Sequence, residues 1–374
     1  MLYIHIPFCV SKCVYCDFLS QGVGCVSDIS TARQMEAYVR ALLDELRAAR
    51  LGDMRDFRVE TIYIGGGTPT ALPASFLCEI IGEARRFLLA PGVEITVEMN
   101  PASLLHGNAP DVYLRALREA GVNRLSIGLQ AFEDTLLAQI GRAHTVQDFL
   151  QTYQAARATG FDNINVDLMF ALPEQTAAMW CEGVQHLIAL KPEHISAYSL
   201  TPAENTPLWD AVTRGETLLP DDDTDREMYH AANRLLAAAG YTRYEISNFA
   251  LAGCESRHNV NTWLRRPYRG FGLGAHSFEN ETRWNNTEDM QKYLCGGDIR
   301  EEIYHLTQGD ALAEKMILGL RLAQGVPLSA EIRARYGAEI KKLISDDLLV
   351  IEGERIKLTT PGTDLANQVF TMFI

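Results

Sequence analysis

A chain of 374 residues, 47% hydrophobic and 22% charged, has enough apolar surface for one large domain with an appendage, or for two of ordinary size. Its formal charge of −14 argues against a nucleic-acid partner, which wants a basic face, and no apolar run approaches the ~18 residues that span a bilayer.

Leu2 to Ile6 reads as a short apolar strand stopped by Pro7, which has no N–H to give to a ladder. Directly beyond come Cys9, Cys13 and Cys16, separated by three and then two residues. Three thiolates on one loop can converge on a single metal centre. An iron–sulfur cubane takes four cysteines, so three leave one iron open to an outside ligand. Two other readings compete. A disulfide needs an oxidising compartment, and no signal peptide is expected ahead of the motif. Structural zinc wants four nitrogen or sulfur ligands, and only His5 lies near enough in sequence to add one. The other cysteines (Cys25, Cys78, Cys181, Cys254, Cys295) are scattered and read as buried thiols of a reducing cytosol, which predicts a cytoplasmic protein.

Beyond Cys16 strands alternate with helices. Met35, Tyr38, Leu42 and Leu46 recur at helical spacing up to Gly52, and Thr61 to Ile64 is a strand running into Gly65-Gly66-Gly67-Thr68. Strands follow at Glu94 to Glu98, Asn123 to Gly128, Asn163 to Met169 and His194 to Leu200, each trailed by a helical stretch. Tyr244 to Phe249 reads as a last, less regular strand. Six such units predict an α/β fold with a parallel sheet, a partial (β/α)6 TIM-type barrel over residues 1–240. Residues 241–308 extend it. From 309 to 374 the pattern changes to three helices (through Leu322, Tyr336 and Leu348), a hairpin of Leu349 to Ile351 with Arg355 to Leu358, and a final helix. This predicts a smaller winged-helix-like α+β domain. Acids outnumber bases after Glu301, which favours a covering or recognition role over DNA binding.

Barrel enzymes place their chemistry on the C-terminal ends of the strands. The cysteines, the glycine triplet, Glu98, Gln130, Asp167 and Tyr198 all fall at such ends. The triplet lacks phosphate-loop spacing, but bare backbone there can meet an amino-acid ligand; its plainer reading is a tight turn.

The C-x3-C-x2-C spacing resembles that of the radical S-adenosylmethionine (SAM) enzymes. The resemblance implies a [4Fe–4S] cluster on Cys9, Cys13 and Cys16, with SAM chelating the open iron and cleaved there to a 5′-deoxyadenosyl radical. Glu98 and Asp167 then suit the ammonium, sulfonium and ribose of SAM, Gln130 offers an amide, and Arg142 a fixed cation for its carboxylate. Tyr3-Ile-His-Ile-Pro-Phe-Cys9, Gly65 to Thr70, Glu98-Met-Asn-Pro101, Arg124 to Gln130, Gly141-Arg-Ala-His144 and Asn165 to Met169 resemble the oxygen-independent coproporphyrinogen III oxidase family, nearly end to end. Carried over by motif, the SAM contacts are Tyr3, Gly66, Gly67, Thr68, Glu98, Gln130, Arg142 and Asp167, with Thr201 in the same role.

The oxidases of that family carry a further cysteine two positions after the third and a long extension before the cluster. Here Phe18 stands at that position and eight residues precede Cys9. Both departures resemble the family's haem-chaperone branch, which has an H-N-x-x-Y-W motif. This chain has His258-Asn-Val-Asn-Thr-Trp263, with Thr262 where tyrosine is expected. The resemblance implies haem at His258, with Trp263 or Tyr268 against the porphyrin face. It implies a chaperone that binds cluster, SAM and haem and passes haem to acceptor proteins, with an electron donor, homodimerisation and peripheral docking on membrane acceptors among its expected partnerships. Two rivals are coproporphyrinogen III oxidation and a radical SAM reaction on haem itself. No catalytic residue is assigned.

Overall fold

The computed structural model describes residues 1–24, 28–105 and 110–374; Cys25 lies outside them. Six parallel strands run in sequence order, β1 (Leu2–Ile6), β2 (Arg58–Gly66), β3 (Leu88–Met99), β4 (Arg124–Gln130), β5 (Ile164–Phe170) and β6 (His194–Ser199). They are linked by helices that include Ile29–Leu51, Ala74–Ala84, Pro110–Ala120, Val146–Ala158 and Ala177–Leu190. Neighbouring parallel strands joined through helices are the (β/α)6 arrangement read from the sequence. Three short strands complete the sheet: β7 (Thr242–Arg243), β8 (Asn248–Ala250) and β9 (Arg269–Phe271), giving the order β9-β1-β2-β3-β4-β5-β6-β8-β7. The irregular strand expected at Tyr244 to Phe249 is thus two antiparallel pieces at one edge, β8 lying against β6.

Along each parallel strand alternate side chains face opposite ways. One set (Ile62, Ile64, Ile95, Val97, Leu125, Ile127, Val166, Ile195) is buried and apolar and packs in the main core. The other set is polar: Thr61 and Tyr63 on β2, Thr96 and Glu98 on β3, Arg124 and Ser126 on β4, Asn165 and Asp167 on β5, His194 and Ser196 on β6. The barrel is therefore oily outside, under its helices, and polar within.

Some boundaries differ from expectation for local reasons. The third strand starts at Leu88 and runs through Pro91-Gly92, with a register shift opposite Val59 to Thr61 absorbing the irregularity. A three-stranded antiparallel sheet of His276–Glu279, Thr282–Asn286 and Arg300–His305 was not foreseen. In the last unit the helical run Ala330–Ser345 is interrupted by a kink at Tyr336 (φ −120°, ψ 19°), the expected boundary between two helices, and Val326–Pro327 adds a third strand to the hairpin. The final helix divides into Thr360–Asp364 and Ala366–Thr371. This unit has its own apolar core, including Met316, Ile332, Ile356, Val369 and Phe373. Among the described residues no helix is long and apolar enough to cross a membrane.

Candidate functional site

The cysteine loop leaves β1 at Pro7 and is pinned by the glycine turn after β2. Gly67 N–H donates to Ile6 O (2.8 Å) and Thr68 N–H to Phe8 O (2.7 Å). A Cβ on Gly67 would stand 2.8 Å from Phe8 O and 3.1 Å from Cys9 Sγ, so only glycine lets the turn approach the thiol. Gly66 adopts φ +105° against the His5 ring, again a glycine conformation. Thr68 Oγ1 lies 3.6 Å from Cys9 Sγ. From the far side Arg142 reaches Cys13 Sγ (3.6 Å) and donates to Gly128 O (2.5 Å). Its loop is held down by Val14 N–H donating to Ile140 O (3.3 Å).

Cys9, Cys13 and Cys16 are free thiols around one end of a cavity of about 410 Å³. Gly66, Gly67, Thr68, Glu98, Gln130, Arg142, Asp167 and Thr201 line the same cavity. Among the described residues no three His, Cys, Asp or Glu side chains converge as one small ion requires. A cubane spreads its thiolates around a larger body, so three thiols on one loop, cradled by Gly67, suit a cluster better than zinc.

Glu98 is buried, which pushes its carboxyl up to about 7 even though Tyr63 OH (2.7 Å) and Gly66 N–H (3.2 Å) donate to it. Burial likewise raises Asp167, against donors from Asn165 Nδ2 (2.8 Å) and Ser126 Oγ (3.3 Å). Two carboxylates that are costly to ionise are well matched to a cationic ligand, whose charge would favour their ionised forms. Gln130 sits at φ +81° where the β4–β5 register slips, at the cavity wall.

Two expected residues lie elsewhere. Tyr3 is behind the wall: its OH is 3.0 Å from His5 Nδ1 and its ring stacks on Tyr63 at 6.4 Å, so it reaches the cavity only through Tyr63. His258, in the helix Arg257–Trp263, is 8% exposed and lies toward the N-terminal ends of the strands. Its Nδ1 is 2.8 Å from Thr61 Oγ1, its ring is 5.1 Å from that of Tyr63, and its backbone N–H donates to Glu94 (3.1 Å). Burial holds its imidazole down at about 3, hence neutral. Asn259 beside it lines the cavity; His258 does not. Trp263 packs under the Arg321 guanidinium and Tyr268 against Phe278, away from the cavity lining. The sequence reading missed Tyr63, Arg124, Ser126, Asn165, His194 and Ser196, all lining residues, although their period-two spacing on the strands was the available signal.

Residues 3–186 match the profile of the Radical SAM superfamily and residues 306–365 that of the HemN C-terminal domain. A protein named Heme chaperone HemW from Lactococcus lactis is 35% identical over all of this chain and 96% of its own length. The chain belongs to the radical SAM superfamily, in its HemN- and HemW-containing family. The Heme chaperone HemW of Bacillus subtilis is also 35% identical, over 98% of its length. A mouse protein named Radical S-adenosyl methionine domain-containing protein 1, mitochondrial, is 34% identical over 96% of this chain and 84% of its own. Among solved structures, Coproporphyrinogen III oxidase (HemN) from Escherichia coli matches with a TM-score of 0.82, covering 100% of this chain and 89% of that one at 22% identity, which speaks for the fold. Family membership implies a [4Fe–4S] cluster and SAM as cofactors.

Proposed function

We propose that this chain is a haem chaperone of the radical SAM type, which binds haem and hands it to haem-dependent acceptor proteins. The observation that carries the reading is full-length identity of 35% to proteins named Heme chaperone HemW, against 22% for the HemN structure. Phe18 at the place of the oxidases' further cysteine agrees with it.

In this reading Cys9, Cys13 and Cys16 would hold the cluster, which would offer an open iron to SAM and supply the electron for its reductive cleavage. Gly66, Gly67 and Thr68 offer backbone and hydroxyl groups to the amino-acid end of SAM. Arg142 faces its carboxylate, Glu98 and Asp167 face its positive charge and ribose, and Gln130 and Thr201 flank it. Tyr3 acts through Tyr63, which donates to Glu98. Residues 309–374 serve as a cover or recognition module.

His258 is the haem ligand of this proposal. Its imidazole is neutral, as an iron ligand must be. In the tautomer that donates Nδ1–H to Thr61 Oγ1, Nε2 carries the free lone pair. Haem access then requires the Arg257–Trp263 helix to release its contacts with Thr61 and Glu94. Haem titration of the reconstituted protein tests the reading: a saturable Soret change is expected in wild type. Failure of the wild-type protein to bind haem would remove the chaperone function.

A further inference from the structure

The cavity does not end at the ring of expected SAM contacts. It continues inward between β4, β5 and β6 to Arg124, Asn165 and His194. There the polar side chains satisfy one another. Asn165 Nδ2 donates to Ser126 Oγ (2.8 Å) and Asp167 Oδ1 (2.8 Å), and Ser196 Oγ donates to Asn165 Oδ1 (3.1 Å). His194 spans from Asn165 Oδ1 (2.6 Å) to the Tyr244 hydroxyl (2.7 Å).

Arg124 is left out of this network. Its side chain is 2% exposed, its Nε has no hydrogen-bond partner, and among the described residues no carboxylate pairs with its guanidinium. Glu98 and Asp167 are close enough to feel its charge but are turned to Tyr63, Gly66, Asn165 and Ser126 instead. A buried, unpaired guanidinium is costly, and its five donors form a planar fork that matches a carboxylate. By contrast Arg142, whose Nε is likewise without a partner, has both terminal nitrogens engaged, by Cys13 Sγ and Gly128 O.

We propose that the inner end of the cavity is a carboxylate-binding site built on Arg124, a second anion-binding point beneath the SAM site. The carboxylate comes from a propionate arm of the tetrapyrrole, because that of SAM is already assigned to Arg142 and the cluster iron; the proposal thus rests on the haem-chaperone reading.

The test titrates anaerobically reconstituted protein, with its cluster intact, with SAM, haem and haem dimethyl ester, whose propionates are blocked. Wild type is compared with Arg124→Met and Arg124→Lys. If the site takes a propionate, wild type binds haem at least tenfold more tightly than the ester, the factor that about 1.4 kcal/mol supplies. Arg124→Met then binds the two alike and Arg124→Lys recovers part of the difference. SAM affinity stays at the wild-type level in both variants. An Arg124→Met protein with the wild-type cluster spectrum that still prefers haem over the ester as wild type does overturns the site. Should that variant fail to fold, a wild type that binds haem but is indifferent to esterification overturns it. A wild type that binds no haem sinks the chaperone reading instead, and the same comparison made with coproporphyrin III and its tetramethyl ester then decides the site.

Discussion

The barrel and the C-terminal unit bury side chains to opposite ends. The C-terminal core is built on apolar side chains, with Met316, Ile332, Ile356, Val369 and Phe373 in one cluster. Inside the barrel Arg124 and His194 are buried and Glu98 and Asp167 are partly so, and each of them would be better solvated in water. The first arrangement stabilises the fold by itself. The second costs stability by itself and gains when a ligand binds. Substitutions should therefore separate stability from binding cleanly between the two regions.

The largest expected effect is at the cluster. Cys13→Ala should lose the [4Fe–4S] absorption and most of its iron, with SAM binding lost alongside, while the C-terminal unit keeps its fold. Iron analysis and visible spectra of anaerobically prepared protein check this; unchanged iron content would refute the assignment of Cys13.

Ile356→Ala, in the C-terminal core, should lower stability by about 2–5 kcal/mol through lost burial and the cavity left behind. Denaturant unfolding measures it, and iron and SAM binding of the folded fraction should match wild type.

Glu98→Gln should do the reverse. The folded carboxyl titrates at about 7 against an ordinary 4.5, so the folded state holds its proton more tightly than the unfolded chain. The stability this gives wild type is fully present below pH 4.5 and is lost as pH rises through 7. Glutamine, neutral at every pH, should therefore make the ligand-free protein more stable than wild type at pH 8, by an amount on the order of 3 kcal/mol. The advantage should vanish near pH 4. The same variant should bind SAM more weakly. A pH series of melting curves with SAM titrations sharpens the contrast, and a destabilised variant at pH 8 would break it.

His258→Ala is expected to have the smallest effect on SAM and iron, and to reduce haem affinity with a changed Soret band. Identical spectra and affinities in the two proteins would show that His258 is not the ligand.

The rim of the barrel was legible in the sequence because its signals are local. The C-x3-C-x2-C spacing, the glycine triplet and the polar residues closing each strand need only short-range reading, and all but Tyr3 of the expected SAM contacts line one cavity. The inner end was not legible. In Arg124-Leu-Ser-Ile-Gly-Leu-Gln130 the alternation is plain, but whether its polar side meets solvent or a barrel interior depends on closure of the sheet, a tertiary fact. His258 was found through a motif, yet its burial against Tyr63 and Thr61 follows from how its helix docks. The unforeseen sheet at His276–His305 consists of short polar strands whose turn, Asn280-Glu281, takes left-handed conformations (φ 49° and 56°) with only Asn as a sequence hint.

In the proposed function this radical SAM barrel carries a tetrapyrrole without converting it. Reconstituted protein should be given reductant, SAM and either coproporphyrinogen III or haem together with an apo haem protein. The account predicts that haem is bound unaltered and passed to the acceptor, with no protoporphyrinogen formed. Protoporphyrinogen produced at catalytic turnover with 5′-deoxyadenosine, or haem consumed together with SAM, would contradict it.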